Sequence, residues 1–214
     1  MVQTIAANTA TLGDLKQALG LQLSPDPGFF GEWQQATPPL GEAEQQLLDR
    51  VKANFMALRS DPPMLENSVK MVVLSPLLDL AGFYRQPFRI ETETSIDLDL
   101  EDDGTVIRGR LDVLVLKQQF WLLVIESQRS DFAVARAIPQ ALAYMLSNPN
   151  LAKPTFGLIT NGNEFLFLQA TRQPVAQYGN SRLFSLLNPD NELYPVLQLL
   201  KQWGSQALDA ESLS

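Results

Sequence analysis

The chain has 214 residues, 45% of them apolar, a formal net charge of −8, and neither histidine nor cysteine. That excludes disulfides, thiolate catalysis, cysteine zinc sites and any mechanism built on an imidazole base, leaving carboxylates, amides, Lys, Arg, Tyr or water, a donor set suited to hard cations such as Mg²⁺ or Mn²⁺. The composition supports a sizeable core, no run nears the ~20 apolar residues that span a bilayer, and the N-terminus has no secretory signal, so a cytoplasmic protein with no membrane contact is expected.

Residues 1–39 read as an N-terminal extension with a short helix and a loop. Thr4, Thr9 and Thr11 dilute any helical pattern, so the first ten residues are expected to be loose. A short helix follows over 12–19, ended by Gly20. The Pro- and Gly-containing stretch after it reads as loop, with Phe29, Phe30 and Trp33 stapling it to the domain. The main α/β domain is expected over 40–208, with a tail at 209–214. Leu47, Leu48, Val51, Phe55 and Leu58 follow a helical period over 41–60. A second helix starts near Met64, carries Val69, Val72, Val73 and Leu77, is kinked or broken at Pro76, and closes at Gly82.

The pattern then switches to period two. Ser95 to Glu101 alternates apolar and acidic residues, a strand with one buried and one wet face. Its acidic residues, part of the run Glu91–Asp103, read as a solvated strand face rather than a cation site. Asp102-Asp103-Gly104 signals a turn. Strands are expected over 106–116 and 121–126, the apolar run WLLVI marking a central strand covered on both faces. Ser130 suits the N-cap of a helix reaching Leu146, with a kink or late start at Pro139. TFGLIT, the Asn161-Gly162 turn and EFLFLQ form a hairpin, and a last helix spans 192–208. The order implies an α/β sandwich with a mixed central sheet.

Asp112 and Glu126 interrupt apolar strands, where a lone charge is costly. If Lys117 pairs with Trp121, Asp112 stands directly opposite Glu126, and a one-residue slip would separate their faces. Two adjacent carboxylates ask for a divalent metal or a basic partner. The alternative is that both are strand-end residues facing water or paired with Arg108 or Arg110. Gln128 returns to the Glu126 face. Gln140 and Tyr144, four apart, share a helical face; they are either site residues or half-buried packing residues.

The run GRLDVLVLKQQFWLLVIESQ resembles the core of the PD-(D/E)XK nucleases, and more closely the N-terminal nuclease domain of the type I restriction enzyme R subunit and its stand-alone relatives. LENSVKMVVLSPLLDLAGF, PQALAYM and FGLITNGNEFLFL resemble further family segments, so that the likeness covers roughly residues 63–170. The resemblance implies a restriction-endonuclease-like fold. It makes Asp112 and Glu126 ligands of Mg²⁺ or Mn²⁺, Glu66 a helper on the first core helix, and Gln140 and Tyr144 residues that contact the DNA strand or brace the site. Two positions depart from the motif. Leu111 replaces its proline, a mild change, and Gln128 replaces its lysine, which removes a positive charge worth several kcal/mol of transition-state stabilisation. Arg129, Lys117 and Arg110 are the candidates to replace that charge.

The leading expectation is therefore a metal-dependent DNA endonuclease-like protein. The acidic balance argues against tight DNA binding by an isolated monomer, so a protein partner, a homo-oligomer or a local basic patch would supply the grip. The alternative is a catalytically inactive nuclease fold kept as a DNA- or protein-binding module. No GxxxxGK[ST] phosphate loop is present.

Overall fold

Alternation along the middle strands dictates the architecture. Val113 and Val115, Phe156 and Leu158, and Phe165 and Phe167 enter one apolar cluster. Leu114, Ile159, Leu166 and Leu168 enter another on the opposite face. A sheet apolar on both faces must be covered on both, and helices do so here.

The computed structural model describes residues 3–34, 37, 39–59, 65–100, 105–117, 120–126, 133–149 and 153–209. In chain order the strands are β1 (Gln3–Ala6), β2 (Gln22–Leu23), β3 (Arg89–Leu100), β4 (Thr105–Lys117), β5 (Phe120–Glu126), β6 (Thr155–Thr160), β7 (Glu164–Thr171), β8 (Gln177–Asn180) and β9 (Phe184–Ser185). The helices are α1 (Leu12–Leu19), α2 (Glu42–Leu58), α3 (Glu66–Val69), α4 (Ser75–Leu80), α5 (Ile138–Leu146) and α6 (Leu193–Asp209). The sheet runs β1-β4-β5-β6-β7-β8-β2, with β3 on the other edge of β4 and β9 on β7. It is mixed: β1–β4, β5–β6 and β2–β8 are parallel, and the other pairs antiparallel. This is the α/β architecture with helix-flanked mixed sheet that the sequence implies.

One face is packed by α2, α3, α4 and α6. Trp203 of α6 is fully buried there against Phe156 and Phe167, with ring centroids 4.5 and 5.3 Å away. Phe30 joins the same cluster and Phe29 and Trp33 lean on it, so the aromatic loop is a staple, as its composition suggests. The other face is packed by α1 and α5. Thr11 and Asp14 form a reciprocal capping box at the start of α1, and Gly20 ends it in a left-handed conformation. Among the described residues no helix is long and apolar enough to cross a membrane.

Three expectations need correction. The first ten residues are not all loose, because Gln3–Ala6 form a parallel strand on β4. Four residues carry too little periodicity to announce a strand, and the pairing partner lies a hundred positions away. The helix before the sheet is not simply kinked at Pro76. It opens into a π-helical turn over Lys70–Leu74 between α3 and α4. Proline lacks the N–H for the usual backbone bond, and a widened turn just before it absorbs the loss. The register of β4 on β5 is the third, taken up below. The start of α5 falls late: a 3₁₀ turn over Val134–Ala137 precedes it, and Pro139 sits in its first turn, where no N–H is needed. Ser130 and the turn Asp102-Asp103-Gly104 lie outside the described residues.

The face packed by α2 and α6 is tied down by carboxylates. Glu192, just before α6, accepts from the Ser185 N–H, from Arg182 and from Asn188 at 2.5, 2.5 and 2.7 Å. Burial works to raise its pKa, but these three donors together hold it below the usual range. The side-chain bond from Lys201 lowers Glu44, and bonds from Asn191 and Tyr194 lower Asp49. Carboxylates lowered in the folded state stabilise it above their unfolded pKa of about 4 and lose that effect as pH falls through the folded values. Stability should therefore drop below about pH 4. Glu192→Gln should cost on the order of 1–2 kcal/mol at pH 7, since its partners stay only partly satisfied, and should flatten the acid limb of a chemical-denaturation series. An unchanged acid limb would place the sensitivity elsewhere.

Candidate functional site

β4 is a long strand with two partners on one edge. β3 follows the other edge from Arg89↔Leu116 to Leu100↔Thr105. On the shared edge β1 pairs with residues 105–108, and β5 pairs with residues 113–117. The stretch 109–112 lies between the ends of these two ladders. Asp112 stands at the fork, the first residue past the Val113↔Val124 pair, while Ile125 and Glu126 of β5 continue in register with Ile159 and Thr160 of β6. Such a fork frees a strand residue from ladder bonds on one side and opens space between strands.

The register differs by one from the expected one. Lys117 pairs with Phe120, not Trp121, so the extended register sets Asp112 opposite Ile125 and not Glu126. Lys117 and Phe120 leave two residues between them, the commonest hairpin connection, and that length sets the pairing. Across the other edge the β3 ladder is interrupted at the same level. Thr92 pairs with Val113 and Thr94 with Leu111, while Glu93 between them has φ 56°. A left-handed non-glycine residue inside a strand is strained, and such strain concentrates near functional sites.

The carboxylate of Asp112 meets Lys70. Nζ lies 3.4 Å from Oδ1, and the side chains are 25% and 28% exposed. Lys70 is the first residue of the π-helical turn and arrives from the face covered by α2–α4. Val69 beside it is anchored in that cluster. Glu66 opens α3, one helical turn before Lys70. Thus the π turn brings Lys70 to the level of the fork. Sequence reasoning passed over Lys70, because one lysine on an apolar-periodic helix reads as its solvated face. Only the 42-residue contact with Asp112 distinguishes it.

Of the other expected residues, Lys117 and Tyr144 stand away from the fork. Gln128 and Arg129 lie outside the described residues. Glu126 is the last residue of β5. Lys117 is buried and donates to the Ala207 carbonyl of α6 at 2.7 Å. It lies five residues from Asp112 along β4, roughly 16 Å, so it is not the cation at the fork. Arg110 is registered with Ser95 of β3. Gln140 and Tyr144 do share a face of α5: Gln140 Nε2 donates to Tyr144 Oη at 3.4 Å. Tyr144 is 3% exposed and belongs to the core under α5, on the opposite sheet face from Lys70.

A model of the N terminus of the type I restriction enzyme R protein matches residues 14–175, well over half of the chain. The chain belongs to this family. Its mixed sheet flanked by helices fits the nuclease-like N-terminal domain. Among solved structures, a fragment assigned as an HsdR subunit of a type I restriction enzyme from Vibrio vulnificus YJ016 is 18% identical. The match covers 67% of this chain and 26% of that one, at a TM-score of 0.36. The chain thus spans about a quarter of that fragment's length. A protein named SSO0001 is 13% identical over 79% of this chain and 87% of its own, at a TM-score of 0.27. No curated protein matches the chain.

Proposed function

We propose that the chain is a restriction-enzyme-related nuclease domain that hydrolyses DNA phosphodiesters with the help of Mg²⁺ or Mn²⁺. The observation that carries this reading is Asp112: a partly exposed carboxylate at a fork in the sheet, already beside a cation, in a chain of the R-protein N-terminal family. The chain has no histidine or cysteine to offer a metal, and a carboxylate of this exposure fits a hard cation. Asp112 would hold it, with Glu66 assisting from α3; Glu126, one register step off, would join it only through a departure from strict alternation beyond the last β4–β5 pair, Val113↔Val124. A bound ion of this kind lowers the pKa of water and offsets charge building on the phosphate. Gln128 would hydrogen-bond the attacking water without adding charge. The burial of Tyr144 favours a bracing role, its hydroxyl fixed by Gln140. Given a net charge of −8, much of the DNA grip would come from a protein partner or a second copy.

The competing reading, a nuclease fold kept as a binding module, is favoured by Gln128 and by the acidic balance. Cleavage of plasmid and single-stranded DNA in Mn²⁺, wild type beside Asp112→Ala, separates the two. Cleavage that disappears in the variant supports the nuclease. Its absence in both, or equality between them, supports the binding module.

A further inference from the structure

Hydrolysis of a phosphodiester forms a bond from a water oxygen to phosphorus as the bond from phosphorus to the leaving sugar oxygen breaks. The water releases a proton and the leaving oxygen takes one up. Negative charge grows on the oxygens around phosphorus, and a fixed positive side chain there is worth orders of magnitude in rate. Two residues past the β5 carboxylate, Gln128 is neutral.

We propose that Lys70, from the π-helical turn, supplies this positive charge at the fork beside Asp112. The proposal rests on the nuclease reading above. Four observations carry it. Lys70 Nζ is 3.4 Å from Asp112 Oδ1, close enough to share a site and longer than a tight charge-assisted bond. Both side chains are about a quarter exposed, buried enough to strengthen the charge and open enough for substrate. Lys70 stands on the one π-helical turn among the described residues, a distortion that re-aims side chains and recurs at functional sites. Several other cations have different duties: Lys117 holds Ala207, Lys52 holds the carbonyls of Asn188 and Asp190, Arg172 holds the Leu146 carbonyl, Arg182 pairs with Glu192 and Lys201 with Glu44. A charge arriving from a helix on the far side of the strand fork would stand in for one that β5 does not provide.

A purely structural lysine and a charge-supplying lysine make opposite predictions. Removing a positive charge next to Asp112 should strengthen, or leave unchanged, the binding of a divalent cation. If Lys70 serves the reaction, Lys70→Met nevertheless loses turnover. The experiment uses the full chain: Mn²⁺ affinity by electron paramagnetic resonance of the free ion, kcat and KM for plasmid cleavage, and thermal unfolding, for wild type, Lys70→Met and Lys70→Arg. The expected result is Mn²⁺ binding equal to or tighter than wild type, kcat down about a hundredfold or more in Lys70→Met, and partial recovery in Lys70→Arg with both variants folded. Wild-type cleavage with Lys70→Met within about fivefold of it overturns the role of Lys70 and leaves the nuclease reading standing. A wild type that does not cleave overturns both. Should Lys70→Met fail to fold, Lys70→Gln takes its place: a kcat within about fivefold of wild type overturns the proposal, and a kcat reduced more than tenfold at unchanged KM supports it.

Discussion

Asp112→Ala is expected to lower Mn²⁺-supported cleavage by at least about a hundredfold while leaving the fold intact. Two effects on stability accompany it, and their signs separate two pictures of the site. Read from the sequence, Asp112 and Glu126 face each other and repel, so removing one would raise the melting temperature of the metal-free protein. In the structure Asp112 is offset from Glu126 by one register step and partnered by Lys70. Its removal then takes away an attraction. A pair at 3.4 Å with each side chain about a quarter exposed contributes about 0.2–1 kcal/mol, or a fall of up to ~4 °C in a domain of this size. The loss of activity would therefore far exceed any loss of folded protein. Mn²⁺ gives the second readout. A ligand at a hundred times its Kd stabilises by about 2.7 kcal/mol, and that gain should shrink sharply in the variant. A metal-free variant that melts above wild type would mean repulsion dominates at Asp112. An undiminished gain from Mn²⁺ would place metal binding elsewhere.

Much of the scaffold was legible because it is written in local periodicity. The helical period of Leu48, Val51 and Phe55 gives α2, the all-apolar WLLVI gives the central position of β5, and Asn161-Gly162 gives the β6–β7 turn. What escaped depends on distant partners. β1, β2, β8 and β9 are two to four residues long, and each exists only because a longer strand offers an open edge. The site divides in the same way. Asp112 stood out because a charge in an apolar strand is costly, a property of its neighbours in sequence. Its exact level on β5 did not, since one residue of connection length between Lys117 and Phe120 changes every pairing. Lys70 was invisible for a third reason: its meaning lies in a contact across 42 positions and in a π turn induced by a proline six residues on.

Gly162→Ala is expected to be the most damaging conservative substitution in the β6–β7 hairpin, costing on the order of 2–5 kcal/mol. Two independent terms add. The residue has φ 81°, a left-handed conformation that costs an L-residue roughly 1–2 kcal/mol. An added Cβ would also lie 2.5 Å from Val69 Cγ1 and 3.1 Å from Phe55 Cε2, and overpacking of a core commonly costs about 1–3 kcal/mol. Both neighbours are rigidly held: Phe55 is 1% exposed on α2 and Val69 2% exposed on α3. Gly20→Ala is the internal control. Its φ is 65°, yet an added Cβ there meets nothing within 4 Å, so it reports the conformational term alone. The difference between the two variants, from denaturant midpoints at equal slope, measures the clash. The clash has a functional consequence as well. Val69 precedes Lys70 in the chain, so relief by moving α3 would shift the ammonium away from Asp112. Gly162→Ala should then lose cleavage beyond its loss of folded protein, whereas Gly20→Ala should lose activity only in proportion to folding. Equal destabilisation by the two would show that the turn yields without displacing α3, and the hairpin would then have no hold on the position of Lys70.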